Sequence, residues 1–267
     1  MNHNTLTQTS TSSDLLRQIL NVVAVIATIV FNGLSQSLRL GGTNSAEVSN
    51  SFPVYFVPAN FTFSIWGVIY LLLIAFAVYQ ALPSQRTNIY ARRIGWLFIV
   101  TCVLNCAWIT AFQFRQFWVS VLIIVALLAT LILIYQRLGS GQQQVSTRDY
   151  WFYRLPFSVY LGWVSVATIA NLTVTLYSAG WDGFGLSGPV WAAIMLVIGG
   201  VLGAIMLLTR RDVAFALVIL WAFGGIVSKQ AEFAIVAGTA LAVIVALVVL
   251  LVVTILRNRQ ITLPRGA

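Results

Sequence analysis

Residues 117–138 read FWVSVLIIVALLATLILIYQRL, a stretch with one charge, Arg137, close to its far end. About 20 consecutive apolar residues in helical form cross the hydrocarbon core of a bilayer. In water such a segment must be buried on every side. In lipid its side chains face outward while its backbone groups pair within the helix. Seven further runs of the same kind surround it, at approximately 15–34, 61–82, 94–112, 155–177, 189–208, 213–228 and 233–256, the seventh in chain order being the shortest. Together they take up nearly the whole chain. The expected fold is an all-α integral membrane protein with about eight transmembrane helices and no separate soluble domain.

Composition agrees. Of 267 residues, 60% are hydrophobic and 8% are charged, against roughly 25% charged in soluble domains. The net charge is +9, which in another setting would suggest nucleic acid. Here the basic residues stand singly or in pairs at the ends of apolar runs, where they anchor helices against anionic headgroups. No nucleic-acid partner is expected; the bilayer is the partner. Eight crossings place twelve basic residues on the side of both termini, among them Arg17, Arg86, Arg92, Arg93, Arg210 and Arg211, and three on the other: Arg39, Arg115 and Lys229. The positive-inside rule then puts both termini in the cytoplasm, most simply of a cell (plasma) membrane protein.

Local signals mark the edges. Pro83 stops the second run, Pro189 opens the sixth after Ser187 and Gly188, Asp212 opens the seventh, and Asn60 is a candidate N-cap of the second. Residues 1–14 read as a polar tail without fixed structure, and 259–267 as a second tail. The longest connection, 35–60, mixes Phe52, Tyr55 and Phe56 with Pro53 and Pro58 and is expected to be a packed lid on the outer side. The inner connection 139–150 reads as a flexible connector.

Chemistry-bearing groups are few. All six acidic residues fall at run ends or in connections, where capping and interface solvation account for them. Lys229, the sole lysine, lies at the end of a run and is expected to snorkel. Cys102 and Cys106 share a helix face and read as packing residues. No metal site is expected, since the only histidine is His3. The telling residues are uncharged. Asn105 with Trp108 on the third run, Trp163, Ala167 and Asn171 on the fifth, and Phe63, Trp66 and Tyr70 on the second each form one stripe at helical spacing. Three helices thus present aromatic rings beside small or amide side chains, a composition suited to enclosing a flat apolar ligand. Trp96, Trp118, Trp151, Trp181 and Trp191 fit an interfacial belt instead.

These stripes carry a resemblance. Residues 58–73, PANFTFSIWGVIYLLL, resemble the opening of the second helix in the TspO/MBR family of tryptophan-rich sensory proteins, which includes the translocator protein or peripheral-type benzodiazepine receptor. Residues 104–108, LNCAW, resemble its third-helix motif. Residues 160–171, YLGWVSVATIAN, resemble its fifth-helix motif, the most specific of the three. The resemblance spans about 15–177, the family's five-helix unit, and leaves 178–258 as a three-helix C-terminal extension. It implies that Trp66, Asn105, Trp108, Trp163, Ala167 and Asn171 line or shape a ligand pocket beneath the lid, that the ligand is a porphyrin or other tetrapyrrole, and that the chain forms a homodimer. The family's paired prolines are replaced by Ile109 and Thr110, and its sterol-recognition pattern is missing because Tyr177 has no Arg or Lys nearby.

The expected function is that of a membrane receptor, sensor or carrier for a flat hydrophobic ligand, with no required cofactor beyond a bound tetrapyrrole. The alternative is a transporter of a small apolar or uncharged solute. An enzyme is not expected, because no catalytic residue can be named: the chain offers no triad and no acid or base at helix depth.

Overall fold

A computed structural model describes residues 11–141 and 145–262. The tail readings at 1–10 and 263–267, and part of the inner connector at 142–144, lie outside the described residues. Eleven α-helices follow in order among the described residues: α1 (Ser12–Leu38), α2 (Ser45–Asn50), α3 (Ile65–Ala81), α4 (Ile89–Ile94), α5 (Leu97–Gln113), α6 (Phe117–Arg137), α7 (Thr147–Asp149), α8 (Leu155–Ser178), α9 (Gly188–Arg210), α10 (Val213–Lys229) and α11 (Ala234–Thr262).

Among the described residues, six helical stretches are long and apolar enough to cross a membrane: Ser12–Leu38, Asn60–Ala81, Phe117–Arg137, Thr147–Ser178, Gly188–Arg210 and Ala234–Leu256. The third and seventh expected runs fall short, at 17 residues each. Gly95 explains the third: with φ at +56° it breaks the chain between α4 and α5. The N-terminal edge also moves. Thr11 caps α1 through a reciprocal pair of bonds with Asp14, so residues 12–14 of the expected tail are helical. Pro83, Pro189 and Asp212 act where the sequence places them, the last accepting from the Phe215 N–H. Asn60 does not cap α3. A 3-10 turn, Asn60–Ser64, precedes that helix, and the Asn60 side chain accepts from Asn50 instead, at 2.6 Å.

Five helices close a ring. α1 packs on α3 and α5, α5 on α6, α6 on α8, and α8 returns to α3. On the far side of α8 lies α10, which also joins α9 and α11. Small residues permit these crossings: a Cβ on Gly162 of α8 would stand 3.1 Å from Val218 of α10, and one on Gly200 of α9 only 2.3 Å from Val243 of α11.

α1 is built inside out. Leu15, Leu16, Ile19, Val23, Ile26 and Val30 point away from the protein. Asp14, Arg17, Gln18, Asn21, Thr28, Asn32 and Ser35 form its buried face. Several of them find partners on the neighbouring helices and their connections. Gln18 donates to the Gln80 and Leu82 carbonyls, Asn32 to Asn105 at 2.8 Å, and Ser35 to Gln113 at 2.7 Å. At the start of α1, Asp14 accepts from Arg17 and Arg92 at 2.8 and 2.6 Å.

The connections gather at two ends. Arg17 reaches the Arg86 carbonyl, Asn88 reaches Asp149, and Gly141 lies against Arg210. The start of α1, the 82–96 connection, the 139–150 connection and the 210–212 turn therefore share the basic end. The lid lies at the other end and is packed, as expected: Val48, Phe56 and Val57 are fully buried.

Candidate functional site

The predicted stripes converge inside the ring. Trp66 of α3 is the hub. Its ring centroid lies 5.6 Å from Tyr70, 6.0 Å from Trp108 and Tyr160, and 6.3 Å from Trp163. Phe63 meets Trp163 edge-on at 6.0 Å, and Trp108 stacks on Phe112 at 5.8 Å. Phe63, Trp66, Trp108, Trp163, Ala167 and Asn171 border one cavity, roofed by Ser45 and Ser49 of α2 and by Val57 and Pro58. Six of the eight predicted residues thus share a wall, directly under the lid. Tyr70 and Asn105 do not reach it.

The cavity is not the open hollow that the sequence suggested. Its volume is about 30 Å³, room for a water or two. Helical spacing says which residues share a face; the space between faces depends on how the rings interlock, and here they fill it.

The amides are also engaged. Asn171 accepts from the Trp108 indole N–H at 2.8 Å and donates to Ser120 at 2.9 Å. Asn105 accepts from Asn32 and donates to the Tyr160 hydroxyl at 3.1 Å. Asn171→Leu strands the buried Trp108 N–H, so a loss of about 1–3 kcal/mol is expected, read as a lower melting point in detergent. An unchanged melting point would show that this bond carries no weight. Trp163 is different. It is buried, and its indole N–H meets no acceptor among the described residues.

α10 holds the roof in place. The Trp221 indole N–H donates to the Thr62 carbonyl at 2.9 Å, and the Ala59 N–H to the Gly225 carbonyl at 3.0 Å. Lys229 donates to Asn50, which in turn donates to Asn60. Lys229 is therefore a tie between α10 and the lid, a role that its place at a run end did not reveal.

A second, larger cavity lies outside the ring, between α8, α9 and the lid. It measures about 420 Å³. Leu172 and Leu176 form one wall and Met195 another, with Tyr55, Trp181 and Trp191 near its mouth. Trp96, Trp118 and Trp151 are exposed, consistent with a belt. Trp181 and Trp191 lie against each other at 4.9 Å and face this cleft. Their proximity to run ends hid that placement.

Among curated proteins and among solved structures, nothing matches the chain. The sequence profile described as TSPO-like protein matches residues 18–254. The match continues through the last three helices, beyond the five-helix unit to which the motifs pointed. With membrane-length helices and a family profile over most of its length, the chain belongs to the TSPO-like family and is an integral membrane protein.

Proposed function

We propose that this chain is a membrane receptor or carrier that takes a flat hydrophobic ligand, a tetrapyrrole above all, into the aromatic cluster of the five-helix ring. The observation that carries this reading is Trp163: a buried indole donor without an acceptor, bordering a cavity that five of the other predicted residues also border. A buried unpaired donor costs about 1–3 kcal/mol, and a ligand with an acceptor atom would relieve that cost. Binding requires the closed cluster to open. Trp66 and Trp108 part to receive the ring system, and the lid moves with the turn Asn60–Ser64.

In this reading all eight long helices cross the bilayer, with both termini in the cytoplasm. The gathering of the basic connections at one end supports it. α5 and α10, about 26 Å long, reach across with a small local thinning of the bilayer.

Quenching of intrinsic tryptophan fluorescence by a panel of porphyrins in detergent tests the proposal. Saturable quenching is expected, with an association rate that levels off at high ligand concentration because opening limits it. Ala167→Thr adds bulk to a wall with no spare room and is expected to weaken binding about tenfold, or 1.4 kcal/mol. Equal affinity of that variant for several porphyrins removes Ala167 from the site. Absence of quenching by every porphyrin removes the function.

A further inference from the structure

The cleft between α8 and α9 calls for a ligand of different charge. We propose that it binds a lipophilic cation, a molecule with a broad apolar body and a positive centre. Its volume of about 420 Å³ falls within the ~300–1,000 Å³ range of small-molecule sites. The lining follows α8 from Ile169 to Tyr177, about 12 Å along the helix axis. Leu172, Leu176 and Met195 make its α8 and α9 walls apolar.

The mouth selects the charge. Asp182 is the only charged residue of the lining, and its Oδ1 is set in place by the Phe184 N–H at 3.0 Å. The rings of Tyr55, Trp181 and Trp191 stand around the same opening. Aromatic faces and a carboxylate all present negative potential, and cations gather over such faces. The basic side chains of this end are engaged elsewhere: Arg39 with Glu47 at 3.0 Å, Lys229 with Asn50, and Arg115 over the Phe52 ring at 6.0 Å. Asp182 is the charge that borders the cleft itself, so an acid-bearing tetrapyrrole meets a like charge there and a cation an opposite one, and the cleft and the aromatic ring cluster sort ligands by charge.

The mouth is also fixed before any ligand arrives. The Trp191 N–H donates to the Gly183 carbonyl at 2.6 Å. Gly183 has φ at +67°, and a Cβ there would stand 2.8 Å from the Trp191 indole nitrogen. Tyr55 lies as close over Gly188, 2.8 Å from where a Cβ would be, and meets Phe233 edge-on at 4.7 Å. Lid, ring and C-terminal helices each contribute, so the site exists only where the last three helices are present.

Two ions of matched shape and opposite charge, tetraphenylphosphonium and tetraphenylborate, provide the test. Each is measured by equilibrium dialysis against the full chain in nanodiscs of zwitterionic lipid, with empty nanodiscs as the partition background. Saturable binding of the cation and none of the anion is expected. Asp182→Asn, at an exposed position, is expected to weaken the cation about tenfold, the scale of one charge contact beside aromatic faces. Met195→Trp narrows the space between the α8 and α9 walls and is expected to abolish saturable binding of an ion this bulky with the melting point kept. The proposal is overturned if the cation shows no saturable binding above empty discs, if the anion binds equally well, or if cation binding survives both substitutions.

Discussion

A chain carrying Asp14→Ala is expected to lose about 3–5 kcal/mol of stability, because the substitution strands a buried charge. Arg17 is almost fully enclosed, with 7% of its side chain exposed, and Asp14 is its acidic partner among the described residues, at 2.8 Å. Arg17 also donates to the Arg86 carbonyl at 3.1 Å. Asp14 also takes two bonds from Arg92, from Nε at 3.1 Å and Nη2 at 2.6 Å, which ties α4 to the start of α1. The same contact raises the Arg92 pKa further above its ordinary value. Removing the carboxylate also removes half of the reciprocal cap, the bonds it accepts from the Thr11 N–H and hydroxyl, while the Thr11 hydroxyl still accepts from the backbone N–H of residue 14. Equilibrium unfolding in mixed micelles measures the loss. Adding Arg17→Leu to the same chain is expected to restore part of it, since the enclosed charge is then gone. A single variant as stable as the parent would show that the guanidinium reaches water by another route.

Gly225→Ala is the second large effect expected, at about 1–3 kcal/mol for overpacking of a tight junction. A Cβ at Gly225 would stand 1.9 Å from the Thr62 hydroxyl oxygen and 3.0 Å from the Thr62 Cβ. Thr62 is completely buried, and its carbonyl holds the Trp221 indole N–H. Neither side can give way without breaking the α10 contact to the roof. Thr62→Gly removes each of the atoms in conflict, so the double variant is expected to recover stability that neither single change shows. The turn Asn60–Ser64 carries Phe63 and leads directly into Trp66, so Gly225→Ala is also expected to alter tryptophan emission from the ring cluster. A melting curve and an emission spectrum identical to the parent would mean that α10 does not hold the roof.

The contrast between these two positions shows what the sequence made legible. Apolar runs and terminal arginines define a membrane class by themselves, because solvent dictates both. The faces of α3, α5 and α8 follow from helical geometry, and Phe63, Trp66, Trp108, Trp163, Ala167 and Asn171 do meet. The closed state of their cavity was not legible, since spacing fixes direction around a helix and not the distance between helices. Tyr70 and Asn105 point toward the same interior but are taken up by Trp66, Asn32 and Tyr160 before reaching the cavity.

Asp14 presents the opposite case. Its signal was available: Asp14, Gln18, Asn21, Thr28, Asn32 and Ser35 recur at steps of three, four or seven along an apolar run, with Arg17 beside Gln18 on the same face. Such a stripe marks a face turned toward other helices, because lipid gives polar groups no partner. Read as a tail residue, Asp14 concealed the beginning of that stripe. The cleft beside α9 depended on where Tyr55 of the lid comes to rest against Gly188, a long-range contact with no local sequence signature.

The inside-out character of α1 also bears on how the chain is made. α1 leaves the ribosome ahead of α3 and α5 and carries an edge whose bonding partners, Gln80, Asn105 and Gln113, are synthesised some time later. Until they arrive, that edge faces either the insertion machinery or hydrocarbon, and each unsatisfied polar group opposes entry into lipid. A nascent chain of this kind is expected to linger at the translocon, with α1 released into the bilayer only once α3 and α5 have emerged to receive it.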